Sequence, residues 1–143
     1  MFGKKKKQVV KKKNSSTKRL TWHSDTKLTE RVRGVITEIG FLHVQKQRIF
    51  CFRTEGSKSR AYARIWAFPK IFQNVLEIEP AYVIEVINKY YDKLSYEEQT
   101  KVLIHELLHI PKNFSGSLLP HKHSGKTIEK EVERIYKSME KKA

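Results

Sequence analysis

Residues 95–111 constrain the fold of this chain more than any other segment. Ser95 and Glu98 form a capping box, the pattern in which each side chain hydrogen-bonds the backbone amide of the other residue where a helix begins. Behind this start, the apolar residues Leu103, Ile104 and Leu107 recur at helical spacing. Pro111 marks the end, because proline has no amide hydrogen with which to continue a helix. The segment therefore predicts a helix with an apolar face, around which the rest of the chain must pack.

The other elements follow from apolar periodicity and turn residues. A first helix is predicted from Asp25 or Thr26 to Gly40, a short helical piece after Pro69, and a last helix from about Thr127. Strands are predicted at residues 48–54, 61–68 and 82–87, and the turn at 55–60 suggests that the first two form a hairpin. This order indicates an α+β fold with a short mixed sheet.

Positive charge is concentrated at the start of the chain. Residues 1–20 hold nine Lys and Arg and no acid, out of a formal net charge of +15 over 143 residues. A segment this polar buries too little apolar surface to offset the entropy lost when it is ordered. We therefore expect a flexible basic arm at 1–20 and one domain at 21–143.

Nothing in the sequence resembles a membrane span or a secretory signal, which predicts a cytoplasmic protein with no membrane partner. Cys51, the single cysteine, is expected to be a buried thiol.

The helix of residues 95–111 carries the pattern H-E-x-x-H. His105 and His109 are four positions apart, so both imidazoles can reach one zinc ion from the same helical face. Glu106 lies about 100° further round the helix, where its carboxylate can take a proton from a water on the metal. The pattern predicts a Zn2+ site with Glu106 as the catalytic general base.

A catalytic zinc site needs a third protein ligand. His121 and His123 follow His109 after a short loop and are the first candidates. We favour His121, because Pro120 restricts the backbone just before it, and keep His123 as the alternative. Carboxylates of the last helix are a further possibility, namely Glu129, Glu131 and Glu133.

The basic arm indicates a second kind of partner. A flexible run of lysines neutralises phosphates and releases counterions without reading bases, so nucleic acid is the expected partner, either RNA such as ribosomal RNA or DNA. The predicted contacts are Lys4, Lys5, Lys6, Lys7, Lys11, Lys12, Lys13, Lys18 and Arg19. Lys58, Arg60 and Arg64 would extend this surface. Trp22 and Trp66 are candidate stacking groups, although Trp66 is expected to be buried.

Several segments resemble the metallopeptidases found in phages and archaea. They are residues 56–65, 69–73, 82–86, 102–111 and 114–116, together with the step from Pro120 to His121. More distantly, the layout is similar to SprT-like and other small zincins, in which a short sheet precedes a helix with H-E-x-x-H and a later helix. The resemblance implies His105, His109 and His121 as ligands and Glu106 as the general base.

The resemblance also implies how a peptide or protein substrate is bound and cleaved. Zincins place the substrate along an edge strand, and the strand with Tyr82, Val83 and Ile84 is the candidate. Zinc would polarise the scissile carbonyl while Glu106 carries a proton to the leaving amine. The candidates for holding the oxyanion are Arg60, Arg64 and Tyr136. We therefore expect a zinc-dependent peptidase; the alternative is an RNA- or ribosome-associated protein that keeps the fold with a structural or inactive metal site.

Overall fold

The computed structural model describes residues 18–123 and 126–142. Within them the fold is α+β, as predicted, with a four-stranded mixed sheet and several helices. The strands are β1 Thr21–Ser24, β2 Ile49–Glu55, β3 Ala63–Ala67, β4 Tyr82–Ile87, β5 Lys122–His123 and β6 Lys126–Thr127. The helices are α1 Thr26–Glu38, α2 Lys70–Leu76, α3 Asn88–Tyr91, α4 Tyr96–Leu107 and α5 Ile128–Lys142, with a 3-10 turn at Lys46–Arg48.

The strand order of the main sheet is β1-β2-β4-β3. β2 pairs in parallel with β4, while β1 pairs antiparallel with β2 and β3 antiparallel with β4. The hairpin predicted for residues 48–54 and 61–68, which form β2 and β3, is therefore wrong, because β4 lies between these two strands. β4 is apolar at all positions except Glu85, which is typical of a strand buried on both faces at the centre of a sheet.

The central position of β4 also corrects the predicted substrate strand. Tyr82, Val83 and Ile84 were predicted to lie on an edge strand. Their strand is paired on both sides, with Tyr82 opposite Ile49 in β2 and Ala67 in β3. No backbone edge of β4 is left to accept a peptide, and the edges of the sheet are β1 and β3.

Local capping signals place the two helices that pack on the sheet. Ser95 and Glu98 form the predicted capping box, with reciprocal hydrogen bonds of 3.1 and 3.0 Å. The Asp25 carboxylate accepts a bond from the Leu28 amide at 2.9 Å and begins α1, and Gly40 follows that helix with φ +70°. α1 packs on β2, α4 packs on β3, and α5 packs on α4.

The core lies between the helices and one face of the sheet. Its members are buried aliphatic and aromatic side chains from each element, among them Val32, Ile49, Ile84, Leu103, Leu107 and Val132. Cys51 belongs to this core, as predicted, and burial raises the pKa of its thiol to about 12. Among the described residues, no helix is both long enough and apolar enough to cross a lipid bilayer.

Candidate metal centre

His105 and Glu106 lie in the last turn of α4, and His109 follows just beyond its end. The helix stops at Leu107, four residues before the predicted boundary at Pro111. The amide of His109 bonds the carbonyl of Glu106 at 3.1 Å, so the chain leaves the helix through a tighter three-residue turn. Ile110 precedes Pro111, a position that disfavours the helical conformation, so the helix could not continue to the proline.

Three imidazoles converge at this end of the helix. The ring centroids of His105 and His109 are 5.3 Å apart, and His121 lies 5.2 Å from the first and 4.7 Å from the second. One nitrogen of each ring lies within 4.8 Å of the others, which is close enough to hold a single metal ion. Burial lowers the pKa of His105 most, and the two neighbouring imidazoles lower it further. A lowered pKa favours the neutral form of the ring, which is the form that binds metals.

The third imidazole arrives on a segment that is fixed at both ends. The Leu119 amide donates to the His109 carbonyl at 2.7 Å, and the Ile128 amide donates to the His121 carbonyl at 3.1 Å. His109 is oriented by the same segment, because its Nδ1 atom bonds the Leu119 carbonyl. A carbonyl only accepts, so Nδ1 is the donor in this bond, and Nε2 is the ring nitrogen that could face a metal.

Of the alternative third ligands, none of the carboxylates joins the three nitrogens within 4.8 Å, although the charge of Glu129 acts on His105 and opposes the lowering of its pKa. Glu129 and Glu133 border the adjoining cavity without joining the three imidazoles, and Glu131 bonds Arg134 at 2.8 Å. The side chain of His123 lies outside the described residues. His121 is thus the candidate that the fold brings to His105 and His109.

Glu106 borders the same cavity as His105 and His121. The cavity measures about 420 Å³ and is also lined by residues of β3 and α5. The Glu106 side chain is buried, and its burial raises its pKa to about 8, although a hydrogen bond with the Ile65 backbone opposes that rise. A carboxyl group in so apolar a position is able to exchange a proton near neutral pH.

None of the three side chains predicted to hold an oxyanion borders this cavity. Arg64 points to the opposite face of the sheet and bonds Glu85 at 3.1 Å. Arg60 is exposed on the preceding loop, and the ring of Tyr136 packs beneath the ammonium group of Lys101.

Lys101 does border the cavity, and the sequence analysis missed it. Its ammonium group is held by Glu97 at 3.2 Å and Glu133 at 3.0 Å. It precedes His105 by four positions, one helical turn, and this spacing was the available signal.

Most of the predicted nucleic-acid contacts lie outside the described residues. These are Lys4, Lys5, Lys6, Lys7, Lys11, Lys12 and Lys13. Lys18 and Arg19 are described and exposed, and Lys18 lies 3.5 Å from the Glu55 carboxylate.

An α+β domain that brings three imidazoles and a buried carboxylate to one cavity has the set of groups that metal-dependent hydrolases use. Residues 20–140 match the family model described as "Putative phage metallopeptidase". The chain belongs to this family, as the resemblance of its motifs predicted. Family membership implies a metal and peptide hydrolysis. Comparisons with curated proteins and with solved structures gave no significant match.

Proposed function

We propose that this protein is a zinc-dependent peptidase with a zincin-like arrangement of its site. The observation that carries the proposal is the position of three imidazoles within 4.8 Å of one another beside the buried Glu106. Family membership supports the same reaction class.

The donor set fits zinc. Imidazole nitrogens are ligands that zinc prefers, at about 2.0–2.1 Å, and three protein ligands are the usual number at a catalytic site. The Nδ1 atom of His109 is already bonded to the Leu119 carbonyl, so this ring would bind an ion through Nε2. His121 is exposed, which keeps one side of the cluster accessible from the cavity. A zinc ion held there would polarise a substrate carbonyl and make a water molecule easier to deprotonate.

Glu106 is the group we propose to move the proton. It would accept a proton from the attacking water and donate it to the amine that leaves when the peptide bond breaks. Two opposing influences would suit it to both steps: burial favours the protonated form that donates, and a nearby zinc ion would favour the ionised form that accepts.

The free edge of β3 is the proposed position of the substrate backbone. The Ile87 amide donates to the Tyr62 carbonyl, so residue 62 and every second residue after it face β4. The amide and carbonyl of Ala63 therefore face away from the sheet, beside the cavity that Ala63 helps to line. An extended peptide paired there would lie next to Glu106 and the imidazoles.

Zinc content and hydrolysis of a peptide mixture, measured together, test this proposal. We expect the zinc-loaded protein to cleave peptides and Glu106→Gln to lose about 100- to 10,000-fold in rate while keeping its zinc. Glu30→Gln removes an exposed carboxylate of α1 and is the matched control, with unchanged rate. Equal rates for Glu106→Gln and the parent protein would overturn the catalytic role. Zinc binding without any cleavage would favour the alternative of a structural or inactive site.

We also propose that the basic segment of residues 1–20 anchors the protein to RNA or DNA. Its support is the concentration of nine cations with no acid. Deleting residues 2–17 leaves the described residues intact and should weaken salt-sensitive binding to both polymers. Unchanged binding would contradict the proposal.

A further inference from the structure

Both tryptophans of the chain lie on the sheet face opposite the helices and are bound to one carboxylate. The indole Nε1 of Trp22 donates to Glu85 Oε2 at 3.0 Å, and that of Trp66 donates to Glu85 Oε1 at 3.1 Å. The two residues are 61% and 53% exposed, so the expectation that Trp66 is buried is wrong. Two large rings are thus oriented by their nitrogen atoms while more than half of each residue stays exposed. The Arg64 guanidinium lies 5.5 Å from the centroid of the Trp66 ring, on one of its faces.

Glu85 is occupied by the protein's own donors. Besides both indoles, Arg64 Nε bonds Oε1 at 3.1 Å and the Thr54 hydroxyl bonds Oε2. Its side chain is only 3% exposed. The carboxylate therefore positions the two rings and is not itself available to a ligand.

The rings border a cleft of about 1210 Å³ with a basic rim. Its cationic lining residues are Lys18, Lys58, Arg64, Lys89 and Lys93.

The acids of the same cleft are held by cations of the protein itself. Glu55 lies beside Lys18, Glu85 beside Arg64, and Asp92 beside Arg53. A ligand entering the cleft therefore meets two partly exposed indole rings and an excess of positive charge.

We propose that this cleft binds single-stranded nucleic acid, with bases stacked on Trp22 and Trp66 and phosphates along the lysine rim. Flat rings accept any base by its π face, and cations at the rim neutralise the backbone. Exposed aromatic side chains on an open sheet face are also how several RNA-binding domains hold unstacked bases. The bases of a duplex are already stacked on one another and cannot stack on these rings, so a single strand is the expected ligand.

The inference deepens the proposed anchoring by nucleic acid and is independent of the metal centre. Lys18 borders the cleft, and the lysines of residues 4–13 precede Lys18 in the sequence, separated from it by residues 14–17. Arg64 and Trp66 of β3 face the cleft, whereas Ala63 lines the metal cavity on the other face of the sheet. The two sites lie back to back and do not compete for the same side chains.

The two tryptophans are the only ones in the chain, so tryptophan fluorescence, excited selectively over the tyrosines, comes from this cleft alone. We expect short oligo(dT) and oligo(rU) to quench the tryptophan fluorescence of the full chain. Inorganic polyphosphate, which carries charge without bases, should bind without comparable quenching. Equal quenching by polyphosphate, or no quenching at saturating oligonucleotide, would overturn the proposal.

Binding of a labelled oligonucleotide to variants of the full chain separates stacking from structure. Trp66→Leu and Trp22→Leu should each weaken binding by about 5- to 150-fold, the range expected for the loss of one stacked base. Trp66→Phe keeps a ring but loses the bond to Glu85, and should bind more tightly than Trp66→Leu. Phe72→Leu is the control, since Phe72 is also 53% exposed but lies on α2, outside the cleft. An equal loss in Phe72→Leu and Trp66→Leu would contradict the assignment.

Two further variants keep this inference separate from the earlier proposals. Deletion of residues 2–17 should lower the affinity but preserve quenching at saturation, because the rings remain. His105→Ala should lose zinc and leave quenching unchanged. Loss of quenching in the deletion variant would assign binding to the basic segment and overturn the cleft.

Discussion

His109 and Leu119 are joined by two hydrogen bonds: the imidazole Nδ1 donates to the Leu119 carbonyl, and the Leu119 amide donates to the His109 carbonyl at 2.7 Å. This double connection folds the intervening loop back onto the end of α4. It also places His121, two residues further on, next to both imidazoles of the helix. One local contact thereby fixes the orientation of one proposed ligand and the position of another.

The first prediction concerns the third ligand. His121→Ala should lower zinc affinity by roughly 100-fold or more, because a direct ligand contributes more than the outer partners whose loss costs about 10- to 100-fold. Zinc retained after dialysis against a competing chelator measures this. His23→Ala, which removes an exposed imidazole of β1, is the control and should retain zinc. Full retention in His121→Ala together with loss in His123→Ala would transfer the role to His123.

The second prediction concerns the free edge of β3. Ala63→Pro removes the outward amide beside the cavity and should lower kcat/KM for peptide cleavage by about 10-fold, the value of a lost main-chain hydrogen bond. The amide direction permits proline at this edge, but Ala63 also belongs to the core, so the free energy of unfolding is measured on the same variant. Ala67→Pro makes the same change at the far end of the strand and serves as the control. If the two variants cleave peptides equally well, the substrate does not pair at Ala63.

A third prediction concerns the charge of Glu85. Burial by itself would raise the pKa of Glu85, but hydrogen bonds from Thr54, Trp66 and Trp22, together with the charge of Arg64, hold it below its usual 4.5. The folded state therefore binds this proton less readily than the unfolded state. The stabilisation from Glu85 is complete above about pH 4.5 and is lost as the pH falls through the lowered pKa.

Urea unfolding of Glu85→Gln tests that sign. At pH 7 we expect the free energy of unfolding to fall by about 1.5–3 kcal/mol, the range for hydrogen bonds to a charged group. The difference from the parent protein should shrink as the pH is lowered below 4.5. Glu79→Gln, at an exposed position, should match the parent at every pH. A difference that stays constant into acid would show that the charge of Glu85 does not stabilise the fold.

The fourth prediction concerns Cys51. The thiol is 1% exposed and its pKa is raised to about 12, so it is neither accessible nor ionised at neutral pH. We expect no reaction with a colorimetric disulfide reagent in the native protein and one equivalent after denaturation in urea. Rapid reaction of the native protein at pH 7 would contradict the position of Cys51 in the core.

Features that depend on neighbouring residues could be read from the sequence. The caps of α1 and α4 are contacts across three positions, and His105 and Glu106 lie in the helix that such contacts predict. Strand order could not be read in the same way. Whether β2 pairs with β3 or with β4 depends on which of these two strands packs best at the centre of the sheet.

Some of the site likewise required the tertiary structure. Lys101 and Glu133 are neighbours only because α5 packs on α4. The cluster around Glu85 draws donors from three other strands, so no spacing in the chain could indicate it.

The sequence by itself determined the α+β class, the starts of α1 and α4 and the pair of imidazoles one turn apart, because the caps and the pair depend on backbone geometry over a few residues. The tertiary structure alone decided that β3 is the free edge, that His121 completes the cluster and that both tryptophans meet one carboxylate. Those outcomes depend on contacts between distant segments, which form only where burial of the whole core makes them the most stable arrangement.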